Sequence, residues 1–238
     1  MNIAISIGRA GSSGLKNKNL LKVNGVPLMN YPLLAALKSK KVNKIYFSSD
    51  SEKMNKNAKA LGVSTINRPK KLSTKSALAD EVYIHCLNQI KKEFKDINLL
   101  ILLMSNAICI SPKQIDYGIK IMDNNKSIDS AITVSKYNMW SPLRARKIDN
   151  QGLLKPFIDF KYFKNRGQLN CDRDSQGDVW FADMGVSIIR PKNLDNLKNG
   201  LLPQKWMGKK IFPIKQEGGF DIDYKWQIPS LSMWAKKF

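Results

Sequence analysis

Three glycines, Gly8, Gly11 and Gly14, alternate with Arg9, Lys16 and Lys18 directly after the apolar run Ile3 to Ile7. Glycines let successive backbone N–H groups turn toward an anion, and the cations can neutralise it, so the stretch has the chemistry of a phosphate cradle. The spacing is G-x-x-G-x-x-G, which is neither the dinucleotide pattern G-x-G-x-x-G nor a G-x-x-x-x-G-K-[ST] loop. A plain connecting turn with solvated charges is the competing reading. At the other end of the chain Gly218-Gly219 precede Asp221 and Asp223. Two carboxylates two residues apart can offer hard oxygens to a divalent cation such as Mg²⁺, or can simply form a charged turn.

These residues need a scaffold, and the hydropathy pattern supplies one. Apolar runs predict strands near 3–7, 45–49, 63–66, 98–104, 130–135, 185–189 and 210–214, with helical patterns between several of them. Pro27 to Ser39 reads as a helix, and so does 77–93, where Leu78, Val82 and Cys86 share one stripe with Tyr83, Leu87 and Ile90 beside it. Alternating strands and helices imply an α/β fold with a mostly parallel sheet, and such sheets bind ligands at the carboxyl ends of their strands. The glycine-rich stretch lies at such an end. From 136 to 178 the rhythm breaks into a segment rich in aromatics, arginine and lysine, read as an inserted hairpin-containing piece turning at Asp149 to Gly152. The expectation is one domain over 1–238 with 136–178 inserted in it.

The chain of 238 residues carries a formal net charge of +21. The basic residues are spread along the whole length, runs such as SKKVNK and RPKKLSTK lack interleaved aromatics and no zinc-finger pattern occurs, which favours a solvated surface and a small anionic substrate over nucleic acid. The longest apolar run, Ile97 to Met104, is too short to span a bilayer, and a soluble cytoplasmic protein is expected. Cys86, Cys109 and Cys171 are widely separated and match no zinc or redox spacing.

The stretch AISIGRAGSSGLKNKNLLKVNGVPLMNY resembles the N-terminus of the acylneuraminate cytidylyltransferase (CMP-sialic acid synthetase) family, whose pattern is roughly A-R-x-x-S-K-G-[IL]-x-x-K-N-[IL] followed by G-x-P-L. IYFSSD at 45–50, GVSTINRP at 62–69 and GGFDIDYKWQ at 218–227 follow in the family's order, the last similar to its D-I-D block. The resemblance implies a Rossmann-like nucleotidyltransferase that transfers CMP from CTP to a small anionic sugar acid and releases pyrophosphate, with Mg²⁺ as cofactor. It assigns Arg9 and Lys18 to the triphosphate and Asp223, with Asp221, to the metal. Gly8, Ala10, Gly11, Ser12, Ser13, Gly14, Lys16, Asn19, Arg68 and Ala77 form the expected nucleotide-binding set. Arg144, Arg146, Arg173 and Asp183 are the candidates for the acceptor. In the family the extra segment reaches across a dimer, and Pro142-Leu143-Arg144 matches its P-L-K triplet with arginine for lysine. A homodimer with shared sites is therefore expected.

The chain also departs from the pattern. Ser13 replaces the lysine of the S-K-G triplet, LLMSNAICI stands where L-L-Q-P-T-S-P-L-R is usual, KSALA replaces D-T-A-S-S, ADMG replaces R-P-N-G, and Gln227 replaces an acidic residue. These changes fall mainly on the acceptor side. A same-fold enzyme using another nucleoside triphosphate or a sugar phosphate, a catalytically altered nucleotide-binding protein, and a basic RNA-binding protein are the alternatives at this point.

Overall fold

A computed structural model of the chain describes residues 1–11, 14–163, 166–172, 174–219 and 221–236. In chain order it contains β1 (Asn2–Ile7), β2 (Lys22–Val23), β3 (Val26–Pro27), α1 (Asn30–Leu37), β4 (Lys44–Ser49), α2 (Glu52–Ala60), β5 (Ser64–Asn67), α3 (Ala79–Ile90), β6 (Leu99–Met104), α4 (Pro112–Asn124), β7 (Ser130–Lys136), β8 (Arg146–Ile148), β9 (Leu154–Pro156), β10 (Trp180–Ile189), α5 (Lys192–Asp195), β11 (Ile211–Gln216) and α6 (Ile228–Trp234).

Seven strands form one sheet in the order β11-β7-β10-β6-β1-β4-β5. β1 pairs in parallel with β4 and β6, β4 with β5, and β7 with β11, while β10 runs antiparallel to both its neighbours. Helices cover both faces, which explains why the central strands read as continuous apolar runs rather than alternating ones. In β6, Leu99, Ile101 and Leu103 pack with Ala4, Phe47, Leu33 and Ile119 on one face. Leu100 and Leu102 pack with Ile3, Ile5, Val82 and Tyr83 on the other. The period-two alternation of the strand thus divides one run between two cores. Helix α4 begins where Ser111 and Gln114 cap each other reciprocally ahead of Pro112, a strong start signal.

All seven expected strands are present within a few residues of their expected bounds, and the mostly parallel, helix-flanked sheet is the expected Rossmann-like class. Three local differences have clear causes. The helix expected from Pro27 starts at Asn30, because Val26–Pro27 pairs with Lys22–Val23 across an Asn24-Gly25 turn in which both residues have positive φ. Leu78, expected on the buried stripe of α3, lies before its first turn and is exposed. β10 begins at Trp180 rather than 185, because an irregularity between Ala182 and Ser187 interrupts its pairing with β7 and hides the strand period.

β8 and β9 form a separate exposed hairpin, closed by Gly152 N–H donating to the Asp149 carbonyl at 3.0 Å. Among the described residues, no helix is long and apolar enough to cross a membrane.

Ile101, fully buried on the strand between β1 and β10, tests the sheet core directly. Ile101→Ala should lower unfolding free energy by about 2–5 kcal/mol in urea titrations; a loss below about 1 kcal/mol would contradict the two-sided packing.

Candidate functional site

The loop after β1 is held from three sides at the carboxyl end of the sheet. Gly8 N–H donates to the Ser48 carbonyl of β4 at 3.1 Å, and Ser105 Oγ, just beyond β6, donates to the Ile7 carbonyl at 2.7 Å. Ala10 N–H donates to Asp50 Oδ1 at 2.8 Å. A Cβ at Gly8 would stand 2.8 Å from Ser105 Oγ and 3.1 Å from Asn19 Nδ2, so this glycine is required by close approach. Asn19 is buried. Its side-chain amide donates to the Arg9 carbonyl at 3.4 Å, and its own carbonyl accepts from Met29 N–H at 3.0 Å.

The loop meets the C-terminal D-I-D block. Lys18 Nζ lies 2.8 Å from Asp223 Oδ1, with the lysine side chain largely covered and the aspartate 56% exposed. Gly14 sits so close beneath that a Cβ would come 2.5 Å from the Asp223 carbonyl oxygen. Ile222 is fully buried with Val23, Leu28, Ile108 and Leu231, while the flanking Asp221 and Asp223 side chains engage the cleft side. Asn106 Nδ2 donates to Asp221 Oδ2 at 2.7 Å, and its carbonyl accepts from Ile222 N–H at 3.3 Å. Gln227 replaces the family's acid and accepts from the N–H groups of both Asp223 and Tyr224 at 2.7 Å, so it fastens the block from behind.

Between loop and block lies a cleft of about 260 Å³ that brings together Gly8, Arg9, Gly14, Lys18, Asn19, Arg68 and Asp223. Arg68 is 7% exposed and donates from Nη2 to the Ser48 carbonyl at 2.7 Å, while its Nε is buried without a hydrogen-bond partner among the described residues. Burial pulls its pKa down from the ordinary value, and Cys86 and Asp50 act in the opposite sense. Guanidinium stays charged in proteins, so the cleft keeps a poorly solvated cation facing it.

Other expected residues lie elsewhere. Ala10, Gly11 and Lys16 are on the exposed outer part of the loop. Ala77 is half-buried ahead of α3, outside the set lining the cleft. Arg144 and Arg146 line a larger cavity, about 430 Å³, within residues 136–178 with Phe160 and Cys171. Arg144 donates to the Cys171 carbonyl at 3.1 Å, and the Arg146 guanidinium stands 5.7 Å from the Phe160 ring centroid. Asp183 is in β10, hydrogen-bonded to neighbouring strands. Ser12, Ser13 and Arg173 fall outside the described residues. Sequence reasoning missed Asp50 and Asn106. Both lie within two residues of the ends of strands that finish at the cleft, and that position was the signal available.

Among the described residues, no group of three or more histidine, cysteine or acidic side chains could hold a metal by itself. Mg²⁺ needs no such cage, because it is commonly held by one or two carboxylates together with substrate phosphates and water. Asp221 and Asp223, one beside and one within a cleft walled by cations, fit that mode.

The sequence profile of the cytidylyltransferase family matches residues 3–150, which take in the loop after β1, Arg68 and Asn106. The chain belongs to the cytidylyltransferase family. It is 31% identical over 149 residues to the Helicobacter pylori pseudaminic acid cytidylyltransferase and UDP-2,4-diacetamido-2,4,6-trideoxy-beta-L-altropyranose hydrolase, covering 62% of this chain and 28% of that protein. It is 30% identical over 181 residues to the Escherichia coli N-acylneuraminate cytidylyltransferase, covering 76% of this chain and 42% of that protein. The chain thus spans less than half the length of these two relatives. A solved structure of CMP:2-keto-3-deoxy-manno-octonic acid synthetase complexed with CTP superposes with a TM-score of 0.70, covering 100% of this chain and 99% of that one at 13% identity, which establishes the shared fold.

The contact beneath Gly14 tests whether loop and block act on one ligand. In Gly14→Ala the new methyl meets a backbone carbonyl that cannot rotate away, so loop and D-I-D block must separate. CTP affinity measured calorimetrically should fall at least about tenfold, the equivalent of 1.4 kcal/mol. Unchanged affinity would mean that the two segments do not act on one ligand.

Proposed function

We propose that the protein transfers CMP from CTP to a small sugar acid of the nonulosonic, sialic-acid-like class, releasing pyrophosphate. The observation that carries this reading is the convergence of Arg9, Lys18, Asn19, Arg68 and Asp223 on one cleft at the carboxyl end of β1. An acceptor hydroxyl oxygen attacks the α-phosphorus, the bond to the bridging oxygen of the β-phosphate breaks, and the hydroxyl proton passes to solvent. Such a reaction asks the protein mainly for positioning and for neutralisation of triphosphate charge. The backbone at Gly8 and Gly14 and the Arg9 and Lys18 side chains provide both. Asp221 and Asp223 would hold Mg²⁺, which when bound withdraws charge from the phosphate oxygens. Lys18 exchanges its carboxylate partner for phosphate as the nucleotide enters, leaving Asp223 available.

The acceptor carboxylate is assigned to Arg144 and Arg146, because guanidinium groups grip carboxylates bidentately. Their cavity and the cleft have no lining residue in common. In this reading a second copy of the chain joins them, with Arg9 and Asp223 from one protomer and Arg144 from its partner. Trp140, Phe157 and Tyr162, 61%, 65% and 74% exposed, support such pairing, since aromatic side chains are enriched at interfaces between proteins.

Two expected outcomes check the proposal. Arg9→Ala should weaken CTP binding by about 10- to 150-fold, the range set by losing one charge-assisted contact of 1.5–3 kcal/mol; ATP, GTP or UTP binding better than CTP would transfer the reading to another nucleotidyltransferase. After verified subunit exchange, Arg144→Ala mixed with Asp223→Asn should recover about a quarter of wild-type pyrophosphate release, since half the dimers are mixed and each holds one intact site of two. Light scattering that finds a monomer, or mutants that never complement, would remove the shared site.

A further inference from the structure

Asp183 is surrounded by donors. Its Oδ1 accepts from Thr133 Oγ1 at 2.5 Å and Gly185 N–H at 3.1 Å, and its Oδ2 from Ser135 Oγ at 2.5 Å and Gln216 Nε2 at 2.7 Å. A carboxylate offers about four lone-pair directions, so these contacts leave Asp183 little capacity for a substrate. Its negative charge is also unsuited to an anionic acceptor. What it touches is instead the root of the D-I-D block. Gly219 N–H donates to Ser135 Oγ at 2.6 Å, and that hydroxyl passes its own hydrogen to Asp183. A Cβ at Gly219 would clash with Gln216 Nε2 and stand 2.8 Å from Asp183 Oδ2, so the turn is seated directly on the carboxylate.

We propose that Asp183 is a positioning residue: it holds the Gly218-Gly219 turn and thereby sets Asp221 and Asp223 against the loop of the cleft. The network has a fixed polarity. Val186 N–H donates to Thr133 Oγ1 at 3.0 Å, so the Thr133 hydrogen is directed to the carboxylate. On the other side Gln216 Oε1 accepts from Gln114 Nε2, and Gln114 Oε1 accepts from Ser111 N–H at the start of α4. Backbone donors at Ser111, Gly185, Val186 and Gly219 cannot reverse, so the chain of bonds needs an acceptor-only group where it converges. The irregularity in β10, with Met184 at φ 56°, accompanies the turning of this one side chain toward β7 and β11. An asparagine at 183 keeps the shape but introduces two donors. Facing Ser135 and Gln216, it forces the two glutamine amides to flip in turn and sets Gln114 against Ser111 N–H.

The importance assigned to this turn rests on the proposed cytidylyltransferase reaction, and the experiment separates the two claims. Hydrogen exchange of the intact chain should show the 216–224 segment exchanging about tenfold faster in Asp183→Asn than in wild type, with 99–104 unchanged. In parallel, MgCl₂ titrations at fixed CTP should show the Mg²⁺ midpoint for CTP binding rising about tenfold, with metal-free CTP affinity preserved. If Asp183→Asn fails to fold, Ser135→Ala, which keeps the carboxylate and removes the Gly219 acceptor, should give the same two shifts. Unaltered exchange at 216–224 would overturn the positioning role, and so would faster exchange with an unmoved Mg²⁺ midpoint. Wild type that binds no CTP would instead count against the functional reading, while the exchange comparison still decides whether Asp183 holds the turn.

Discussion

The cleft exists because a glycine-rich loop at residue 14 and a C-terminal block at residue 223 come within a van der Waals contact of each other. Lys18 and Asp223, 205 positions apart, form an ion pair at 2.8 Å across that approach. The pair does not supply the holding energy. With Asp223 more than half exposed, such a bridge contributes about 0–1 kcal/mol. Burial of Ile222 among Val23, Leu28, Ile108 and Leu231 contributes about 1.5–3 kcal/mol and fixes the block against the sheet. The ion pair sets orientation, and because it is weak a polyanion can displace it.

The same economy recurs around the cleft. Elements at the carboxyl ends of β1, β4, β5 and β6 each contribute one functional piece: the loop itself, Asp50, Arg68 and Asn106. Of these, Asp50 and Asn106 organise backbone and a carboxylate, while Arg68 keeps a buried charge turned to the cleft. On the opposite flank of the site, Asp183 joins β7, β10 and β11 to the turn that launches the D-I-D block. The strands thus place a loop and the D-I-D segment against each other.

Much of this was legible in the sequence, and the limits are physical. Strands covered on both faces are mainly apolar rather than alternating, so β1, β4, β6 and β7 stand out from the hydropathy pattern. The residues of the cleft were found because glycine and basic residues cluster in one stretch, and because the D-I-D block resembles a known family. Asp50 and Asn106 were missed because single polar residues after a strand carry no pattern. The first turn of α1 was lost to an Asn-Gly hairpin, whose short strands are too brief to show a period. Asp183 drew attention through its place in ADMG, but three of its four donors, Thr133, Ser135 and Gln216, arrive from other strands as long-range contacts that sequence spacing does not encode.

If loop and D-I-D block together form the nucleotide site, a crystal structure with CTP and no acceptor will show it. The triphosphate should then lie between Gly8 and Lys18, with Arg9 on its phosphates, Arg68 facing the nucleotide, and Lys18 Nζ moved from Asp223 to a phosphate oxygen. CTP bound outside this cleft, or an intact Lys18–Asp223 pair beside an empty cleft at saturating CTP, would contradict it.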